Sequence, residues 1–194
     1  INVIPVVYNG SAVYGIYFYD SQTGVAFPDA AFLARRTTNG GKTYSEQYMS
    51  YLNFPQIHSL SPDFTLMTSS NVYSSPLLYK TIMHLSTDKG LTWTVTKDMD
   101  SVLMGDISLI SKDIFYANGT PQTTNRFTIF KTKNGGQTFD TVARPSLVKR
   151  GSTYFFDENS GFLFGQDAFS QSIMFRTEDG CKSWILVDSA RFSS

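Results

Sequence analysis

The chain has 194 residues, with 16 Lys and Arg balanced by 16 Asp and Glu, and 15% of it is aromatic. Zero formal charge leaves no electrostatic footprint for nucleic acid or an anionic lipid surface, and 41% hydrophobic residues is too apolar for a disordered chain. One cysteine, Cys181, excludes an internal disulfide framework and a multi-cysteine zinc site, and no apolar run approaches the roughly 18 residues of a membrane helix.

In chain order, residues 1–7 read as a strand. Short apolar runs follow at 13–19, 24–27, 107–110, 113–116, 127–130, 153–156, 161–164 and 172–175, each bounded by Gly, Asn, Asp or Pro. No long segment carries apolar residues at helical spacing, while Ser, Thr, Tyr and Phe abound. This is the pattern of many short antiparallel strands. Many of them are apolar on both faces, as strands sandwiched between other sheets are. The chain begins at Ile1 rather than Met, so the expectation is that a leader was removed or that the chain is a piece of a longer protein.

An internal repeat organises the runs. Thr37-Thr38-Asn39-Gly40-Gly41-Lys42-Thr43-Tyr44 recurs as Ser86-Thr87-Asp88-Lys89-Gly90-Leu91-Thr92-Trp93. It returns as Thr132-Lys133-Asn134-Gly135-Gly136-Gln137-Thr138-Phe139 and as Thr177-Glu178-Asp179-Gly180-Cys181-Lys182-Ser183-Trp184. The starts lie 49, 46 and 45 residues apart. Tyr17-Phe18-Tyr19-Asp20 before Gly24 matches Tyr154-Phe155-Phe156-Asp157 before Gly161, so the whole unit repeats and not just its turn. In the last unit, strands A to D are expected at 153–156, 161–164, 172–177 and 183–187. Four strands in about 45 residues is the blade of a β-propeller. The fold class is therefore all-β: a propeller of four-stranded antiparallel blades in one domain over 1–194, with units at about 8–48, 55–97, 102–143 and 151–188.

The residue types of the box suit a turn. The first hydroxyl (Thr37, Ser86, Thr132, Thr177) and the third-position oxygen (Asn39, Asp88, Asn134, Asp179) can accept backbone N–H bonds. Gly at position four or five (Gly41, Gly90, Gly136) supplies a positive φ. The aromatic at position eight (Tyr44, Trp93, Phe139, Trp184) packs back on the blade. Two of the four boxes carry Asn for Asp, an exchange that a turn cap survives and a catalytic or metal-binding carboxylate does not. In the fourth box Cys181 takes the fifth place. It reads as an ordinary turn residue, with the neighbouring Gly180 taking the strained conformation.

These boxes resemble the Asp-box, or bacterial neuraminidase repeat, and the resemblance covers the whole chain with one box per blade. It implies a sialidase-like propeller. The family includes sialidases, other glycoside hydrolases, photosystem assembly factors, sortilin-type receptors and uncharacterised secreted proteins, so the fold does not fix the chemistry. A sialidase of this family carries three arginines, a Tyr–Glu pair and an Asp. One of its arginines sits in an Arg-Ile-Pro motif, where this chain has Val3-Ile4-Pro5. Arg35, Arg36 and Arg176 sit on C strands directly before boxes. Of the three glutamates, Glu178 lies in a box, Glu158 in an A–B turn and Glu46 on a D strand. No catalytic constellation matches. Family members have six, seven or ten blades. The extra strand at 1–7 therefore points either to a longer propeller or to a cap that pairs elsewhere.

The resemblance puts ligands on the face opposite the boxes, built from D–A connections (46–55, 97–105, 144–151) and B–C loops (28–31, 68–77, 117–126, 166–171). These offer Tyr48, Tyr51, Tyr73, Asn118, Gln122, Arg126, Arg144 and Arg150, with rings to stack and polar tips to orient a sugar or peptide. His58 and His84 fall on A and C strands and do not make a metal site. Asn9-Gly10-Ser11 and Asn118-Gly119-Thr120 match the glycosylation acceptor pattern and are equally ordinary turns. The expectation is a non-catalytic binding module of an exported or cell-surface protein, recognising a glycan or protein partner. It needs no cofactor and no metal, has no nucleic-acid partner and does not insert in a membrane. The alternatives are a glycoside hydrolase, whole or in part, and an assembly or scaffold factor.

Overall fold

A computed structural model of the chain describes residues 13–28, 33–49, 54–74 and 77–190. Among these residues the regular structure is all strand, in four antiparallel sheets of four. Sheet 1 holds β1 (Val13–Phe18), β2 (Gly24–Pro28), β3 (Leu33–Thr37) and β4 (Ser45–Tyr48). Sheet 2 holds β5 (Gln56–Ser61), β6 (Phe64–Ser74), β7 (Leu77–Ser86) and β8 (Thr94–Asp100). Sheet 3 holds β9 (Val102–Leu109), β10 (Phe115–Pro121), β11 (Thr128–Thr132) and β12 (Asp140–Val142). Sheet 4 holds β13 (Arg150–Phe155), β14 (Gly161–Gln166), β15 (Ser172–Thr177) and β16 (Ile185–Ala190). Within each sheet the strands neighbour one another in chain order. No helix among the described residues is long and apolar enough to cross a membrane. The strand expected at 1–7 lies outside the described residues.

The chain divides into two compact units, Ile1–Asp100 and Ser101–Ser194. In the first, Val25, Phe27 and Ala34 of sheet 1 share a core with Met67 and Trp93 of sheet 2. In the second, Tyr116 and Ile129 of sheet 3 are buried with Phe155, Leu163 and Phe175 of sheet 4. Sheets packed face to face explain strands that are apolar on both sides.

Each box closes a C–D hairpin with one repeated hydrogen-bond set. The first hydroxyl accepts the N–H of position five: Gly41 to Thr37 at 2.9 Å, Gly90 to Ser86 at 2.8 Å, Gly136 to Thr132 at 2.9 Å and Cys181 to Thr177 at 3.0 Å. The same hydroxyl donates to Oδ1 of position three, which also accepts the position-seven N–H at 2.9 Å in all four boxes. Asn and Asp differ at the second side-chain atom. Asn39 and Asn134 donate Nδ2 to Thr43 and Thr138, whereas Asp88 and Asp179 accept the hydroxyls of Thr92 and Ser183.

The backbone at positions four and five is left-handed in every box, not at one of them. Two of these eight places are not glycine: Lys89 (φ 55°) and Cys181 (φ 72°). Cys181 is therefore itself strained, contrary to the expectation that Gly180 alone would take that conformation. It is 1% exposed and joins the core between sheets 3 and 4, where burial pushes its thiol up to about 12.

Three loop expectations fail. The run 68–77 is mostly strand, because β6 and β7 pair from Thr65–Ser86 out to Ser74–Leu77. The expected connection 97–105 shrinks to Ser101, which has φ 66° between β8 and β9. The run 117–126 begins inside β10, so Asn118 is a strand residue.

Candidate functional site

The second unit carries two adjoining pockets on the side of sheet 3 that bears its B–C loop and the connection from β12 to β13. The larger, about 520 Å³, is lined by Asn125, Arg126 and Phe127 from the loop and by residues from Val142 to Lys149 of the connection, including Arg144. The smaller, about 270 Å³, is lined by Met104, Asn118, Phe127, Lys149 and Arg150 among others. Phe127 and Lys149 border both.

Four cations thus converge: Arg126, Arg144, Lys149 and Arg150. Neither lining contains Asp or Glu, and among the described residues none of the four is in an ion pair. Arg144 is half-buried and held in place. Its Nη1 donates to the carbonyls of Val148 at 2.8 Å and Pro145 at 3.3 Å, folding the connection around the guanidinium. Burial, and after it the charge of Arg126, lowers the Arg144 pKa. Arg126, Lys149 and Arg150 are exposed.

Asn118 forms part of the wall of the smaller pocket. It is 5% exposed, and its side-chain Nδ2 has no hydrogen-bond partner. Its Oδ1 lies where a Cβ on Gly105 would come within 2.3 Å, so only glycine at 105 lets the amide sit there. Burial inside a strand also removes Asn118 as a glycosylation acceptor, and the other acceptor pattern, at Asn9, lies outside the described residues.

The remaining expected ligand residues are elsewhere. Tyr48 ends β4 in the first unit and is exposed. Tyr73 belongs to β6, where it pairs with Leu78 rather than sitting in a loop. Tyr51 lies outside the described residues. Gln122 follows β10, and its N–H donates to the Ser101 carbonyl at 2.7 Å. Sequence reasoning missed Lys149 and Phe127, although both adjoin arginines it had singled out.

No protein-family model and no curated protein matches the sequence. Solved structures do. Trypanosoma rangeli sialidase superimposes on 91% of this chain and 38% of its own, with a TM-score of 0.53 and 11% identity. The same enzyme in complex with the inhibitor DANA covers 91% and 37%, with a TM-score of 0.52 and 10% identity. YCF48 bound to a D1 peptide covers 91% and 80%, with a TM-score of 0.45 and 12% identity. The two sialidase superpositions decide the architecture. This is a sialidase-like β-propeller fold, and the four sheets are its blades. The chain spans over a third of the length of those sialidase chains.

Three other arginines and the three glutamates make contacts within and between blades. Arg35 bonds Glu46 at 2.6 Å on sheet 1, and Arg176 bonds Glu178 at 2.9 Å on sheet 4. Arg36 donates to the Lys89 carbonyl at 2.9 Å, linking blades 1 and 2. Glu158 takes Lys131 at 3.3 Å between blades 3 and 4. Among the described residues no cluster of three or more His, Cys, Asp or Glu could hold a metal.

Proposed function

We propose that the chain is a non-catalytic binding module of an exported or cell-surface protein, its four blades forming one Asp-box propeller domain. Its ligand is acidic and docks at the paired pockets of blades 3 and 4. The convergence of Arg126, Arg144, Lys149 and Arg150, with no carboxylate in either lining, carries this reading. Unpaired like charges held together are unfavourable until an anion joins them, so the free energy of binding includes relief of that repulsion.

Phe127, the ring that borders both pockets, is 7% exposed and offers no open face for a sugar to stack on. An acidic protein segment, recognised by guanidinium–carboxylate bonds, therefore suits the site better than a neutral glycan.

Titration of the 194-residue chain with an Asp/Glu-rich peptide and, separately, with neutral and acidic oligosaccharides tests this. Binding to the peptide that weakens with salt, and roughly tenfold or more on Arg126→Ala with Lys149→Ala, is the expected result. Equal binding of neutral and acidic ligands, or indifference to those substitutions, would refute it. Release of sugar from any substrate would instead establish the glycosidase alternative. Capture of a protein at a site untouched by the two substitutions would favour the scaffold alternative.

A further inference from the structure

Asn118 brings an unmatched donor to the wall of the smaller pocket. It is 5% exposed, and its Nδ2 has no partner among the described residues. The strands are shaped to seat it. Ala117 of β10 pairs with Ile107 and Gly119 with Met104, so Gly105 and Asp106 of β9 stand opposite Asn118 alone. Two residues against one is a β-bulge, a device that re-aims side chains and recurs beside functional sites. At this bulge Gly105 leaves the room that the amide fills, since a Cβ there would lie 2.3 Å from Asn118 Oδ1. Asp106, the acidic residue of the bulge, is absent from the lining and accepts the Ser152 hydroxyl.

The unmet and charged groups of this pocket are all donors: Asn118 Nδ2, the Lys149 ammonium and the Arg150 guanidinium. A carboxylate offers only acceptors and a negative charge, so it suits every one of them. A carboxamide of the same shape sets an NH2 against them and brings no charge. The bond that Nδ2 gains to a charged oxygen is of the stronger kind, and the free state is the one that leaves the donor unmatched. The terminal torsion of an Asn side chain is soft, so the amide can turn its donor toward an oxygen that enters. At about 270 Å³ the pocket is below the roughly 300–1,000 Å³ that encloses a whole drug-sized ligand. It therefore fits one group of a larger ligand, whose remainder lies in the adjoining pocket of about 520 Å³.

We propose that the smaller pocket is a separate carboxylate subsite, and that Asn118 selects a carboxylate there over a carboxamide. The ligand is then an acidic segment with two carboxylate side chains, one for each pocket. Arg126 and Arg144 hold the first, Asn118 and Arg150 the second, and Lys149 stands between them. The subsite rests on the reading of the paired pockets as an acidic-ligand site, and adds to it a second anchoring group and the residue that reads it.

Proton–nitrogen NMR of the isotope-labelled 194-residue chain, titrated with end-capped hexaglutamate and separately with end-capped hexaglutamine, tests it. The side-chain amide signals of Asn118, assigned by their loss in Asn118→Leu, should shift with hexaglutamate and stay fixed with hexaglutamine. Asn118→Leu is similar in size and leaves the charge of the pocket unchanged, but removes the donor, and should weaken hexaglutamate binding about tenfold. Gly105→Ala keeps every ligand group and displaces the amide, and should weaken it by a similar factor. Circular dichroism establishes that each variant folds, and the signals of the parent chain need no substitution to be read. Suppose that hexaglutamate binds and is lost on Arg126→Ala, while the Asn118 signals stay still and both variants keep the parent's affinity. The subsite is then overturned and the acidic-ligand reading stands. Equal shifts of the Asn118 signals with the two peptides would overturn the selectivity, and a parent chain that binds no hexaglutamate would sink both readings together.

Discussion

Tyr116 lies flat on Phe155, with ring centroids 3.7 Å apart and planes 11° from parallel, and its hydroxyl donates to the Glu158 carbonyl at 2.7 Å. One side chain thus joins blade 3 to both the first strand and the first turn of blade 4. Lys131 sits 4.9 Å from the centre of the same ring and bonds the Glu158 carboxylate. Tyr116→Phe keeps the stack and drops the hydroxyl, and should cost about 1 kcal/mol. Tyr116→Ala leaves a cavity at a fully buried position and should cost about 3–5 kcal/mol. Urea unfolding of both variants, read by far-UV circular dichroism, checks the ordering. Equal losses would mean that the ring contact contributes little.

The box geometry predicts an asymmetric response to substitution. Ser86 is buried, accepts Gly90 N–H and donates to Asp88, so Ser86→Ala strands a buried N–H and should cost about 1–3 kcal/mol. Asp88→Asn keeps the Oδ1 acceptor, and its amide can donate to Thr92 as Asn39 and Asn134 donate to Thr43 and Thr138. That change should stay within about 0.5 kcal/mol. Melting temperatures of the two variants, compared at pH 7, decide it. A large loss for Asp88→Asn would mean that the carboxylate charge itself is needed there.

Cys181 should behave as a core residue in spite of its place in a surface turn. Burial raises its pKa to about 12, which leaves on the order of a thousandfold less thiolate at pH 8 than a free thiol has. Alkylation by iodoacetamide should be very slow in the native protein and fast in urea. Modification of the folded chain within minutes would show that the turn opens readily. Next to it, Gly180→Ala meets both a φ of 68° and the Glu158 carbonyl 2.9 Å from the new Cβ, so it should destabilise by about 1–3 kcal/mol.

The blades and their hairpin turns were legible because a fixed-period turn chemistry marks each unit, and β15 falls on the expected 172–177. Two of the three failed loop expectations, 68–77 and 117–126, have a common physical cause. Ser, Thr and Asn read as loop residues, yet their polar groups can be satisfied inside a sheet. Ser70 and Thr81 bond each other at 3.0 Å across β6 and β7, and the buried Thr68 lies in the same stretch. A polar run such as 68–74 therefore looks the same in sequence whether it is a loop or a hydroxyl-paired strand. Ser101 makes its turn without Gly or Pro, so no punctuation marks it. Of the pocket, the arginines were visible as types. Their convergence with Lys149 depends on how the connection wraps the Arg144 guanidinium, which no local pattern encodes.

Acid should unfold the protein in two separable stages. His84 is buried in β7 with its Nδ1 unpartnered, and burial lowers its pKa from 6.5 to about 4. Between those values the unfolded chain carries a proton on this residue that the folded chain does not. Stability therefore falls as pH drops from about 6.5 to 4, by about 3 kcal/mol. Asp20 acts lower. The N–H groups of Gln22 and Thr23, and then Lys89, lower its pKa from 3.8 to about 2, so the stability it contributes is present above 3.8 and lost on the way down to 2. His84→Leu removes the titrating group and should flatten the upper window while leaving the lower one. Urea midpoints measured at pH 7.5, 5 and 3 for the parent chain and this variant separate the stages. An unchanged slope between pH 7.5 and 5 in His84→Leu would assign the upper window to another group.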